Sequence, residues 1–293
     1  MRSPRFEAMI GRARLYPQLW LLLLGLVIVI FSYLGTVAMG MVALFMALGP
    51  FEFGAMLRQM QQPTEPGAVI LLLFSFFGLL VGPMLAAAAC QRRGPGNLFG
   101  PMRATFGGFL ATLAIAVPAY ALFTWAGEYL QPSVPNLPTG VWLSWLPWAL
   151  PLLLVQVTAE ELLFRGYLQS QLAARFRSPL VWMALPTALW TGLHYDPSAG
   201  PEIWFMLATT FVFGLIAADL TVRTGSLGAA IGLHFVNNVF ALLVVALNGS
   251  LTGLARWTTA FTAQDLAPTV TSLGLSVAFM AVVWRILRLV LDR

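Results

Sequence analysis

WLLLLGLVIVIFSYLGTVAMGMVALFMAL, residues 20–48, contains no acidic or basic side chain. A bilayer's hydrocarbon core is crossed by ~20 apolar residues wound as helix, so this run is long enough to span a membrane with residues to spare. Its length, and its interruption by glycines, predict a span that tilts, kinks or projects. Arg2, Arg5, Arg12 and Arg14 precede it, which resembles the charged start of a signal peptide. The apolar core of such a signal is only ~7–15 residues long, however, so the run reads as a retained first span.

The rest of the chain repeats the pattern. Hydrophobic residues make up 59% of it and charged residues 9%, whereas a soluble domain carries about 25% charged residues. So little charge cannot cover a water-facing surface. The apolar runs predict an all-α, polytopic transmembrane helical bundle of about eight spans, at 18–48, 68–90, 104–126, 147–173, 179–195, 202–222, 226–246 and 268–290, forming a single membrane domain over 1–293. The fifth is short and is expected to end inside the membrane. The Pro-rich segment 128–146 (EYLQPSVPNLPTGVWLSWL) suits a surface loop anchored by tryptophan at the interface. Cys90, the one cysteine, rules out a disulfide framework and reads as a small core residue.

All sixteen basic residues are arginine. They lie scattered between apolar runs and form no stripe, so no nucleic acid is expected as a partner. With the N-terminus in the cytoplasm, eight spans leave thirteen arginines on inner segments, Arg58 and Arg256 outside, and Arg165 within a span. That is the asymmetry of the positive-inside rule. An odd number of spans would put Arg285, Arg288 and Arg293 outside. The expectation is therefore an integral membrane protein, of a bacterial inner membrane, with both termini cytoplasmic and its site opening toward the arginine-rich side.

Charges inside spans cost roughly 3 kcal/mol each on insertion scales, yet here they cluster. Span four reads TAEELLFRGYLQ, with Glu160, Glu161 and Arg165; span five ends ALWTGLH at His194; span seven reads IGLHFVNNVF, with His234, Asn237 and Asn238. Residues four apart share a helix face, and neighbours differ by ~100°. Glu161 and Arg165 are thus expected to pair, with Glu160 left to face a cavity. His234 shares a face with Asn238, and Trp190 one with His194. Trp190 reads as a wall residue and Asn237 as a structural one. Measured along their helices, Glu160 lies ~22 Å from Arg175, His194 ~22 Å from Pro179 and His234 ~16 Å from Arg223. Three helices therefore deliver their polar residues to similar depth, which predicts one buried site. Gly228 and Gly232 form a small-xxx-small spacing that lets span seven approach a neighbour closely. Asp219 and Arg223, also four apart, read as a helix-end ion pair.

A carboxylate, two imidazoles and an amide suit hydrolysis. Glu160 can take a proton from water, and His234 with Asn238 can stabilise an oxyanion. The same residues leave a second route open: Glu160, His194 and His234 could hold Zn2+ or another divalent metal, since two histidines and a glutamate match a catalytic zinc set. The chain has no HExxH helix, which excludes a standard zincin, and no GxSG segment, which argues against a serine nucleophile.

EELLFR (160–165) resembles the EExxxR motif of the CPBP family, the CAAX-type prenyl endopeptidases and bacteriocin-processing proteins also called Abi. WTGLH (190–194) is similar to that family's FxxxH, with Trp190 in place of Phe, and HFVNN (234–238) supplies HxxxN. The resemblance covers residues 147–246, the expected catalytic core. It implies an intramembrane endopeptidase in which Glu160 activates water with help from His194, His234 and Asn238 form the oxyanion site, and Glu161 and Arg165 give support. It leaves open whether the mechanism uses a metal or glutamate alone. The implied partners are the lipid bilayer and a membrane-associated peptide or protein substrate, prenylated or not. A contrasting reading of the same buried cluster is a non-catalytic carrier, scaffold or regulatory partner of other membrane proteins.

Overall fold

A computed structural model of the chain describes residues 2–61 and 63–292. It is an all-α polytopic bundle. Six helices are long and apolar enough to cross a membrane by length and composition: α2 (Leu19–Gln61), α3 (Pro66–Gln91), α4 (Met102–Gly127), α5 (Thr139–Arg175), α7 (Ile203–Thr224) and α9 (Ala267–Leu291). Two shorter apolar helices, α6 (Leu180–Gly192) and α8 (Gly228–Val244), stand where the fifth and seventh spans are expected. A short N-terminal helix, α1 (Pro4–Ile10), precedes them. Helices dominate because backbone polar groups in hydrocarbon must be satisfied within their own segment.

Two boundaries differ from the sequence reading. The first span continues to Gln61 after a kink at Gly49, whose φ of 76° breaks the helix immediately before Pro50. Proline disfavours the α conformation in the residue before it, and glycine accepts the left-handed alternative. The segment expected to be a loop over 128–146 is helical from Thr139 onward, despite Pro147 and Pro151 in the turns that follow. A small sheet also appears that the apolar pattern does not announce. It comprises β1 (Ser133–Pro135), β2 (Val245–Asn248) and β3 (Trp257–Thr262) in the order β1–β3–β2. β1 pairs antiparallel with β3, with Val134 opposite Thr258, and β2 pairs parallel with it. The Asn136 side chain ties this cap together by donating to the Thr252 and Ala255 carbonyls at 2.9 and 2.8 Å.

Both chain ends meet at the opposite end of the bundle from this cap. Arg5 donates to the Leu291 carbonyl at 3.4 Å, Ser3 donates to the Val222 carbonyl, and Arg223 bridges Asp219 and Asp292 at 2.8 Å each. Arg175 holds the carbonyls of Tyr16, Pro17 and Gln18 at the same end. This is the arrangement an even number of crossings requires. Arg293 lies outside the described residues.

α8 lies against α4 with almost no space between them. A Cβ at Gly228 would sit 1.8 Å from the Thr105 carbonyl oxygen, and one at Gly232 would sit 3.0 Å from Thr112 Cβ. The close approach expected of that spacing is thus directed at α4, and it sets the depth at which His234 enters the core.

Candidate active site

Immediately after Glu161 the winding of α5 loosens to a π-helical stretch over Leu162–Gln169, all of it buried. Such turns are rare inside α-helices and recur at functional sites. Glu160 is 8% exposed, Glu161 0% and Arg165 1%, so three ionisable groups lie in the protein interior within two turns.

Their partners define the site. Arg165 Nη1 donates to Glu161 Oε1 at 3.0 Å, and Nη2 donates to the Gly214 carbonyl of α7 at 3.2 Å. The guanidinium carbon stands 4.7 Å from the centre of the Trp190 ring. Glu161 Oε1 also meets His234 Nδ1 at 2.9 Å. A carboxylate at that distance can only accept, so Nδ1 carries the proton and Nε2 faces the other carboxylate. That second contact, His234 Nε2 to Glu160 Oε2, is 3.9 Å, too long for a direct hydrogen bond. Glu160 is instead held by Trp190 Nε1–H at 2.7 Å on Oε2 and by the Gln156 amide at 2.5 Å on Oε1. Gln156 in turn accepts from Asn238 Nδ2 at 3.0 Å. Asn237 donates to Asn238 Oδ1 and accepts from the Tyr120 hydroxyl, both at 3.1 Å. One network thus runs from Arg165 on α5, through α6 and α8, to Tyr120 on α4.

Glu160, Glu161, Arg165 and His234 come together directly, and Asn238 joins them through Gln156. His194 is placed differently. It stands just beyond the end of α6, exposed, with its ring 4.7 Å from that of Trp190. Its Nδ1 is 3.0 Å from the Trp190 carbonyl, so that nitrogen donates and Nε2 is the acceptor. Glu160 is not left without partners, because it receives two donors. Trp190 is one of them and so is more than a wall. Gln156 was missed by the sequence reading, although its position four residues before Glu160 is the same signal that pairs Glu161 with Arg165. Asn237 does hold a structural place, as the brace of Asn238.

Of the metal candidates Glu160, His194 and His234, both histidines turn Nδ1 to an acceptor and leave Nε2 free; among the described residues no three His, Cys, Asp or Glu side chains are grouped to hold an ion.

Two cavities meet at this network. The larger, about 660 Å3, is bordered by Glu160, Gln156, Trp190, His194 and Asn238, and then runs between apolar residues of α2 and α3 such as Ile30, Tyr33, Leu72 and Phe76. The smaller, about 270 Å3, is bordered by His234, His194, Trp190, Asn237 and Asn238. It shares Tyr120, Phe123, Asn237 and Ser276 with a further groove of about 330 Å3 that reaches Glu128, Gln131, Ser133 and Thr259 beside the sheet. That groove ends at the cap, away from the chain termini. The groove thus leads away from the arginine-rich end, toward which the sequence predicts the site to open.

The fold and site together define a polytopic helical membrane protein with a buried carboxylate–imidazole centre. Residues 142–240, the segment carrying all three motifs, match the Rce1-like family, described as type II CAAX prenyl endopeptidase Rce1-like. The match covers about a third of the chain and bears out, over that segment, the resemblance to the CPBP proteases. The chain is also similar to the uncharacterized protein YyaK of Bacillus subtilis (strain 168), at 31% identity over 123 residues. That similarity spans 40% of this chain and 39% of YyaK. No solved structure matches.

Proposed function

We propose that the protein is an intramembrane endopeptidase that hydrolyses a peptide bond of a membrane-anchored substrate with a water activated by Glu160. The observation that carries this reading is the asymmetry of the two adjacent carboxylates. Glu161 is wholly buried and gives one oxygen to both Arg165 and His234, whereas Glu160, fixed by two neutral donors, borders the cavity and lies 3.9 Å from His234 Nε2.

In this reading a water beside Glu160 and His194 Nε2 gives its proton to the carboxylate as it attacks the scissile carbonyl. The oxyanion forms toward His234 and Asn238. When His234 carries a second proton, Nε2–H points at that oxygen and Glu161 stabilises the imidazolium from behind. Arg165 donates to the same Glu161 oxygen and holds it in place for this task. Glu160 then passes its proton to the departing amine. A positioned base contributes ~10²–10⁴-fold, and an oxyanion donor ~10²–10³-fold. The apolar cavity between α2 and α3 suits the hydrophobic anchor of the substrate, whether a helix or an attached lipid. In this reading the protein sits in a bacterial inner membrane, and the distribution of arginines supports cytoplasmic termini.

The test is cleavage of a membrane-tethered peptide library by purified protein beside Glu160→Gln. That substitution keeps the side chain's shape and its Gln156 and Trp190 neighbours while removing the base. Cleavage by the parent and none by the variant supports the reading. Equal cleavage by both sinks it.

A further inference from the structure

The catalytic centre is reached from the end of the bundle that carries the sheet. α6 runs only from Leu180 to Gly192, ~20 Å of helix, against a hydrocarbon core of ~30 Å. It starts beside the chain termini, where Trp182 packs 5.8 Å from Phe6, and so stops short of the opposite face. His194 stands at that stop, exposed, and the groove from His234 passes Tyr120 and Ser276 to Ser133 and Thr259 at the cap. Toward the termini the site is sealed by packing: Tyr167, Leu220, Leu227 and Phe6 are wholly buried, and Leu227 N–H is bonded to the Phe99 carbonyl at 2.9 Å.

The two ends also differ in charge. Arg2, Arg5, Arg175, Arg223 and Arg288 belong to the terminal end, with Glu7, Asp219 and Asp292 among them, while the cap carries the single arginine Arg256 with Glu65, Glu128 and Asp265. Arginine-rich ends of membrane proteins face the cytoplasm. We infer that the site opens to the non-cytoplasmic face, and that its substrate is an exported, membrane-anchored peptide whose scissile segment lies outside the cytoplasm and enters along the groove between α4 and α9. The word substrate rests on the peptidase reading; the direction of access rests on geometry and charge alone.

Both parts can be tested on whole cells producing the full chain. In a Cys90→Ser background, single cysteines are placed at Ser276 and Ser133 in the groove and at Ser178 at the terminal end, then challenged with a membrane-impermeant maleimide. Ser276→Cys or Ser133→Cys should label in intact cells, and Ser178→Cys only in inverted vesicles. The reverse pattern, or labelling of neither groove cysteine from outside, overturns the inference. In parallel, two reporters with the same anchor present one linker outside or inside the membrane. The outside reporter should be cut at least tenfold faster, in a manner abolished by Glu160→Gln. Preferential cutting of the inside reporter overturns the inference. Outside labelling with neither reporter cut leaves the access route standing and removes the peptidase reading instead.

Discussion

Replacing Arg165 with methionine isolates the strongest interaction in the network. The guanidinium is 1% exposed and its partner Glu161 0%, so the pair has no solvent to fall back on. Removing one member of a buried ion pair costs about 3–5 kcal/mol, because the other charge stays buried without compensation. Glu161 Oε2 already lacks a hydrogen-bond partner among the described residues, so Arg165→Met leaves the carboxylate with His234 alone. The stack on Trp190 at 4.7 Å is lost as well, worth roughly 0.5–2 kcal/mol. The expected loss therefore lies at the upper end of that range. Glu161→Gln combined with Arg165→Met should recover much of it, since the uncompensated charge is gone. The assay is reversible unfolding in mixed micelles, comparing parent, both single variants and the double variant as a cycle. A loss below about 1 kcal/mol for Arg165→Met, the figure for an exposed pair, would refute the argument, as would single and double variants of equal stability.

Gln156→Leu should lower cleavage about 10- to 100-fold with the fold intact, because it removes the bridge between Glu160 and Asn238 and a hydrogen bond to a charged group is worth about 1.5–3 kcal/mol; unchanged kcat would contradict this. Trp190→Phe deletes the 2.7 Å donor to Glu160 and should reduce kcat more than it raises KM. Gly228→Ala should fail to fold or lose several-fold in yield, because the new Cβ meets the Thr105 carbonyl at 1.8 Å, whereas Gly11→Ala, with nothing within 4 Å, should be neutral; size-exclusion profiles compare the two. The Thr262 backbone N–H and hydroxyl hold the Asp265 carboxyl below its usual range. Its contribution to the start of α9 is therefore present at neutral pH and fades as pH falls through that lowered value, which amide exchange at Thr262 would report.

Much of this architecture is legible in the sequence because hydrocarbon imposes a single rule on composition. Runs such as 20–48 are long enough to cross a bilayer as helix, and a spacing of four puts Glu161 and Arg165 on one helix face. Three features escape that rule. The sheet at the cap is built from short segments, 133–135 and 257–262, whose pairing partners are far apart in sequence, so no local period reveals them. The helix over 139–146 is hidden by the neighbouring prolines, which a long membrane helix tolerates. The direction of opening depends on where α6 stops and which neighbours flank it, and a hydropathy run measures length without reporting what packs around its end. Trp190 illustrates the same limit within the site. Its position on the His194 face was readable, but the aim of its N–H at Glu160 depends on the separation of α5 and α6.

The short α6 explains why the site can exist at all. A carboxylate, two imidazoles and an arginine placed between full-length helices would have to be dry and fully paired, and an ion pair so buried leaves nothing for a substrate to engage. Here the burden is divided. Glu161, Arg165 and the Nδ1 side of His234 form a buried set that meets its own charge. Glu160, His234 Nε2 and His194 lie where that set meets the cavities left above the end of α6. Water can reach the second group while the first keeps its geometry. Lengthening α6 by inserting Leu-Ala-Leu-Ala after Trp190 would extend the helix by ~6 Å and keep His194 on nearly the same face, so it would carry His194 past Glu160. Cleavage should then be lost although every motif residue remains, with Glu161–Arg165 stability unaffected in the unfolding assay. Retained cleavage would mean that His194 and the truncated helix do not shape the site.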